Sequence, residues 1–302
     1  MDFGFPDFFG FAYNEDQNKV LQLLKESKGI KPTKVILMSA PSFVIDFSYD
    51  SFVQKMKGLG FDKVTELTFG AKIVNQVYHE YIKKNKNTQE KFIATVCPAS
   101  VELIKNKYPY LKSSLLPFDS PMVVMAKVLK KNYPKSKIVF ASPCVAKKVE
   151  AKRTFYKNKP LIDAVITFSE LKQIVAKERP KKLGTSHKFD SFYNDFTKIY
   201  PLSGGLGATL NKNGILTEKE MISCDGFKKI SRVFDKHLNK TFFDVLFCEG
   251  GCIGGNGVSS KLPLLMKKQK VLTYRNKAKK ETMDKNQGLN KYFKGIDFSR
   301  EF

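Results

Sequence analysis

Thiols are the groups in this chain best equipped for chemistry, and there are five: Cys97, Cys144, Cys224, Cys248 and Cys252. Cys97, Cys144, Cys248 and Cys252 follow one another at spacings of 47, 104 and 4 residues. Four thiolates could hold zinc or a [4Fe–4S] cluster. Zinc knuckles usually take their ligands as close Cys-x-x-Cys pairs. Here Cys97, Cys144 and Cys248 end separate apolar runs, and Cys252 shares the glycine-rich stretch "FCEGGCIGGNG" (247–257) with Cys248. That suits a body larger than one ion, and a four-cysteine cubane fits it. The plainer reading is that buried cysteines act as small hydrophobes; for Cys224 in "MISCDG" it is the preferred one. The chain is too long and its cysteines too few for a disulfide framework.

Other chemistry is poorly supported. His79, His187 and His237 show no ligand spacing. "GGLG" (204–207) lacks the strand-to-helix setting and the later acid of a dinucleotide fingerprint, and no phosphate-binding Gly-x-x-x-x-Gly-Lys-Ser/Thr run occurs.

The elements that must position the thiols are legible as short apolar runs alternating with longer amphipathic ones. "KVILMSAP" (34–41), "KVTELTF" (63–69), "KFIATVCP" (91–98), "KIVFASPC" (137–144), "LIDAVITF" (161–168), "MISCDG" (221–226) and "FFDVLFC" (242–248) read as strands. "SFVQKMKGLG" (51–60), "AKIVNQVYHEYIKKN" (71–85), "SPMVVMAKVLKKNYP" (120–134), "SELKQIVAKE" (169–178) and "FKKISRVFDKHLNK" (227–240) read as helices, and another starts at Val145. Ser120 and Pro121 supply a cap and a first-turn proline. Apolar, non-alternating strands between helices predict an α/β fold with parallel pairing. The strands could make one sheet, or two, one before about residue 119 and one after. Residues 180–220 read as long loops. Cys97, Cys144 and Cys248 lie where strands end, the edge at which such folds bind ligands. Cys97 and Cys144 then open helices, whose N–H groups and dipole favour thiolate.

Hydrophobic residues make up 42% and aromatics 13% of the 302 residues, enough for a sizeable globular core. No apolar run reaches the ~18 residues of a membrane span. The start "MDFGFPDFFGFAYNED" has no basic leader region, so a cytoplasmic protein is expected. Net charge is +24, from 53 Lys and Arg against 29 Asp and Glu. The lysines spread along the whole chain instead of forming a block. That argues against nucleic acid as the partner and for attraction of an acidic protein. The densest basic part, "MKKQKVLTYRNKAKKETMDK", reads as a mobile or surface-lying helix.

"TVCPAS" (95–100), "SPCVAKKVEA" (142–151) and "FCEGGCIGGNG" resemble, in order, the three signature motifs of the iron-only, or [FeFe], hydrogenase catalytic domain. "SAPSF" (39–43), "FGAKIV" (69–74), "FDSPM" (118–122) and "YPLSGGLGATL" (200–210) support the likeness, which runs from about residue 31 to 275. The resemblance implies two lobes, each a mainly parallel β-sheet flanked by helices, with the cofactor in the cleft between them. Its division would be an N-terminal segment (1–30), a first lobe (31–119), a second (120–245) and a cluster-binding loop with a basic tail (246–302), the lobes free to be discontinuous. It implies a [4Fe–4S] cluster on Cys97, Cys144, Cys248 and Cys252, and a di-iron centre with CO, cyanide and dithiolate ligands bridged through Cys252. Lys147 matches the lysine that hydrogen-bonds a cyanide. Ala40, Pro41 and Ser42 would line the opposite wall, with Gly204 and Gly205 nearby, and Gly250 and Gly251 would let backbone approach the cofactor.

The departures bear on rate. Val96 stands where catalytic members carry a proton-relaying cysteine, and Glu80 is the only acid on a helix where the family has a pair. Ser142 replaces a methionine, Met122 a glutamine and Ser100 a tryptophan. Proton delivery is then slow or rerouted, through Ser42 or Ser142 and water. These features resemble the sensory-type branch. Electrons would come from an acidic ferredoxin or a separate iron–sulfur electron-transfer protein, since no cysteine precedes Cys97; hydrogenase maturation proteins and a signalling protein are the other expected partners. The alternative is a non-catalytic [4Fe–4S] protein for redox sensing, electron transfer or iron–sulfur scaffolding.

Overall fold

Parallel strands need long crossovers, and this chain fills them mostly with helices. The computed structural model describes residues 13–30, 32–181, 188–192, 196–211, 214–236, 239–278 and 290–302. It opens with α1 (Glu15–Glu26), started by a reciprocal cap between Asn14 and Gln17. β1 (Val35–Ser39) and α2 (Tyr49–Leu59) follow, the helix closed by Gly60 at φ 118°. Next come β2 (Lys63–Glu66), α3 (Thr68–Asn85), β3 (Phe92–Ile93), α4 (Pro98–Lys107), α5 (Pro121–Asn132), β4 (Lys137–Ser142) and α6 (Ala146–Lys152). A small hairpin, β5 (Phe155–Tyr156) and β6 (Lys159–Pro160), leads to β7 (Ala164–Thr167) and α7 (Phe168–Glu178). The chain goes on through α8 (Gly205–Leu210), β8 (Met221–Asp225), α9 (Phe227–Asp235), β9 (Phe242–Leu246) and α10 (Leu264–Ala278).

The fold is α/β, with two parallel sheets flanked by helices, in the orders β2-β1-β4-β7 and β3-β9-β8. Neither a single sheet nor a split at residue 119 survives, because each sheet draws strands from both sides of that point. Burial gives the reason. β1 is buried at every position and needs a neighbour on both edges, which β2 and β4 supply. β3 is only two residues long and finds its partner in β9, setting Phe92 against Phe242 and Ile93 against Phe243. A large core surrounds the first sheet, and a smaller one, with Ile104, Ile230 and Val245, packs on the second.

The basic tail is a correction. α10 does not lie loosely on the surface: Val271 is fully buried and Tyr274 nearly so, inside the larger core. Positions 279–289 fall outside the described residues, as do His187 and His237. The stretch 180–220 is likewise not all loop, since it holds α8 and the turns Phe196–Ile199 and Glu218–Glu220. Among the described residues no helix is long and apolar enough to cross a membrane.

Candidate metal centre

Three strand ends deliver the thiols. Cys97 is the N-cap of α4, just beyond the short β3–β9 ladder as extended by the Ala94 N–H to Phe243 O bond. Cys144 lies between β4 and α6, and Cys248 follows β9. Cys252 sits in a single helical turn, Gly251–Gly254, whose position is set when its N–H donates to Pro201 O at 2.8 Å. Cys97, Cys144 and Cys252 line one cavity that is partly open to solvent. Cys248 is outside that lining but beside it, because charge on Cys144 or Cys97 raises its pKa.

The glycine-rich stretch serves these thiols differently from the expectation that it clears space for a cofactor. It packs against other protein backbone. The Gly257 N–H donates to Pro143 O at 2.8 Å, and a Cβ at this position would stand 3.0 Å from Cys144 N. Gly251 has φ 73°, and its Cβ would stand 2.7 Å from Pro201 O. The Val145 N–H donates to Asn256 Oδ1 at 3.2 Å. These contacts knit the Cys144 turn to the Cys252 turn. Gly250 faces the Leu264 side chain and Gly205 the Ile199 carbonyl, while Gly204 lies against Ser223; none of them is in the cavity lining.

Position at a helix N-terminus does not leave the Cys144 thiol ionised. Burial raises the pKa of Cys144, and a charge on Cys97 adds to it; the Ala146 and Lys147 N–H groups oppose this but lose. Cys248 is pushed up to about 11 by burial, then by Cys144 and Cys97. Cys252 is raised well above the usual thiol range by burial and by all three other sulfurs. Neutral thiols that destabilise one another's charge are what a cationic iron–sulfur core would relieve, releasing their protons on binding. Among the described residues no three His, Cys, Asp or Glu side chains lie close enough to hold one metal ion. Cys97, Cys144 and Cys252 at one cavity, with Cys248 beside it, are a donor set that a larger iron–sulfur body could use.

The rest of the lining is largely apolar, with Ala40, Pro41, Val96, Phe140 and Leu246 among it. Ser42 Oγ is buried on this wall without a hydrogen-bond partner among the described residues, so it is free to meet a bound group. The Ser142 hydroxyl is not: it donates to Cys144 O and accepts the Cys144 N–H, both at 3.1 Å, which makes it a brace for the turn. Lys147 Nζ lies at the lining and donates to Glu150 Oε2 at 2.7 Å, Ser120 Oγ at 3.0 Å and Val96 O at 3.2 Å. Ser120 therefore stands at the N-cap of α5 without capping it through its side chain. Met122 is a correction. Pro121 takes the place in the lining, and Met122, one residue and about 100° further round the helix, is buried in the core. Val96 does line the cavity, while Glu80 is exposed on α3, so neither can pass a proton from the centre inward.

Two residues of this region give no signal as site residues in the sequence. Tyr200 lies in the lining. Asp244, on β9, is buried, and burial raises its carboxyl from 3.8 to about 6, partly offset by the Gly207 N–H. The folded-state value lies above the unfolded one. The folded chain thus holds the extra proton between the two, and the stability it brings, complete below pH 3.8, is lost as pH rises through about 6. Asp244→Asn is expected to remove this slope and to raise stability at about pH 8 by roughly 3 kcal/mol, as read by urea unfolding across the pH range. A variant with the wild-type slope would show that the carboxyl titrates normally.

A family model described as the iron-only hydrogenase large subunit, C-terminal domain, matches residues 33–256. Iron hydrogenase 1 of Clostridium pasteurianum is 27% identical over 254 residues, which cover 67% of this chain and 44% of that protein. The chain thus spans less than half the length of that relative. An [FeFe]-hydrogenase solved in connection with oxygen inactivation of its H cluster has a TM-score of 0.65 at 15% identity, over 88% of this chain and 90% of its own. A variant of the [FeFe]-hydrogenase HydA1 from Chlamydomonas reinhardtii also scores 0.65, at 16% identity, over 91% and 93%. These two likenesses speak to the fold alone.

Proposed function

The chain belongs to the family formed by the C-terminal domain of iron-only hydrogenase large subunits, and we propose that it binds a [4Fe–4S] cluster on Cys97, Cys144, Cys248 and Cys252 with a di-iron centre beside it, for slow H2/H+ redox chemistry of the sensory kind. The observation that carries this is the convergence of Cys97, Cys144 and Cys252, with Cys248 beside them, on one cavity that also presents an ammonium. When bound, the di-iron centre with its CO, cyanide and dithiolate ligands supplies the redox chemistry of hydrogen. The chain's own residues do the rest. Lys147 is fixed by three acceptors and brings positive charge to an apolar cavity, where an anionic ligand set gains most. Ala40, Pro41 and Phe140 exclude water. Ser42 offers an unengaged hydroxyl.

Val96 supports the slow character: an isopropyl side chain neither takes nor gives a proton. The net charge of +24 supports docking of an acidic ferredoxin or other iron–sulfur protein as electron partner, and maturation proteins would install the di-iron centre. A second reading keeps only the cubane, for electron transfer, redox sensing or scaffolding. It is favoured by the full engagement of Lys147, whose three donors already have protein acceptors.

Infrared spectra of anaerobically matured protein decide between them. Bands of metal-bound CO and cyanide are expected; a cubane without such bands establishes the second reading. In matured protein Val96→Cys is expected to raise hydrogen evolution by about 10²-fold, the usual scale of a restored proton donor. An unchanged rate with the bands in place would show that proton delivery is not what limits this centre.

A further inference from the structure

The last stretch of the chain reaches the site although it lies beyond the residues that the family model matches. Residues 298–300 pair with 117–119. Phe118 stands opposite Ser299 in an antiparallel bridge, the Arg300 N–H donates to Pro117 O at 3.0 Å and the Asp119 N–H donates to Phe298 O at 2.9 Å. Lys127 Nζ donates to Asp297 O at 2.8 Å and lies 2.6 Å from Asp119 Oδ2. Phe298 is buried in the larger core. The stretch is thus fastened to the segment that runs into Ser120 and Pro121.

All three acceptors of Lys147 depend on this join. Ser120 follows the paired segment directly. Val96 follows Thr95, whose Oγ1 lies 3.0 Å from Leu116 O and 3.1 Å from Phe118 O. Glu150 is held by the last stretch itself: its Oε1 accepts from Arg300 Nη1 at 2.9 Å, while its Oε2 accepts from Lys147 Nζ at 2.7 Å. The side chain of Glu150 is 2% exposed, that of Lys147 11% and that of Arg300 26%. Two cations therefore share one buried carboxylate, and the trio carries a surplus positive charge. Asp119 does not balance it, because Lys127 already engages that carboxylate. With both oxygens open, Glu150 would draw the Lys147 ammonium to itself and cancel its charge toward the cavity. Divided between two cations, it holds the ammonium in place and leaves the surplus, which is felt more strongly there than it would be in water.

We propose that Arg300 is a positioning residue of this centre: by taking one oxygen of Glu150 it fixes Lys147 at the cavity and keeps the ammonium's charge available to an anionic ligand set. The inference rests on the cluster-binding reading above. Arg300 is not in the cavity lining and acts only through Glu150.

Arg300→Gln tests it, because the amide can still donate to Glu150 Oε1 while the charge is gone; Arg300→Lys keeps the charge. In the full chain reconstituted with the cubane, Arg300→Gln should lower the reduction potential, since losing a positive charge disfavours the added electron, and Arg300→Lys should recover most of the fall. In matured protein the CO and cyanide bands should move to lower wavenumber in Arg300→Gln and return in Arg300→Lys. Full iron in Arg300→Gln with wild-type potential and bands overturns the inference. Equal shifts in both variants also overturn it, because the effect would then belong to the packing of the guanidinium and not to its charge. So does loss of iron from Arg300→Gln, which would make Arg300 a structural clamp. Wild-type protein that takes up no iron overturns the underlying reading instead.

Discussion

Cys252→Ser is expected to strip the chain of iron, and with it any CO or cyanide bands, while leaving the fold intact. Cys252 lines the cavity with Cys97 and Cys144, and charge on each of the other three thiols raises its pKa. A serine fills nearly the same volume, and the turn that carries it is held by backbone, through Pro201 O and the Cys248 carbonyl accepting the Gly251 N–H at 3.0 Å. What is lost is the thiolate, because a hydroxyl does not ionise at the pH where sulfur does. Cys224→Ser is the control. Its sulfur lies in the smaller core, and burial, with Asp244 and Asp225 nearby, pushes it up to about 12. Iron content and visible absorbance after anaerobic reconstitution are the measurements. Full iron retention in Cys252→Ser, or equal loss in Cys224→Ser, would mean that the thiols were grouped wrongly.

How much of this is legible in the sequence depends on the residue. Three of the four candidate ligands end apolar strand-like runs, and that pattern alone puts them at a sheet edge. The pairing of β3 with β9 is not legible. Two residues of ladder joined across about 150 positions of chain leave no local trace, and only burial of Phe92 and Ile93 selects the partner. α1 escapes the pattern of alternating runs although its signal is present: Asn14 with Gln17 three residues on, ahead of Val20, Leu23 and Leu24, is a capping box and an apolar stripe. The glycines mislead for a physical reason. Sequence shows that a side chain is forbidden but not what forbids it, and at Gly251 and Gly257 the obstacle is the protein's own backbone. Lys147 is legible as a cation at the site, whereas its three acceptors come from Val96, Ser120 and Glu150, which no spacing rule connects.

The second large effect is on stability. Glu66→Ala should destabilise the chain by about 3–5 kcal/mol, the cost of stranding a buried charge, and lower the melting temperature by on the order of 10 °C. Glu66 and Lys198 are both fully buried, and Lys198 Nζ lies 2.5 Å from Glu66 Oε2. The Tyr274 hydroxyl donates to Glu66 Oε1 at 2.5 Å, and Thr68 Oγ1 donates to Oε2 at 3.0 Å. The pair fastens the end of β2 to the Phe196–Ile199 turn and to α10. That turn runs directly into Tyr200 and Pro201, both in the cavity lining, and α10 begins at Leu264, against Gly250. Loss of the carboxylate should therefore loosen the Tyr200–Pro201 wall, whose Pro201 O holds the Cys252 N–H, as well as the core, so iron retention should fall along with the urea midpoint. Glu66→Leu combined with Lys198→Met removes both charges and should recover most of the stability, since an apolar pair of similar size usually costs little in such a position. Recovery of stability without recovery of iron would show that the ion pair sets the position of the Tyr200–Pro201 segment, a role that hydrophobic packing cannot take over.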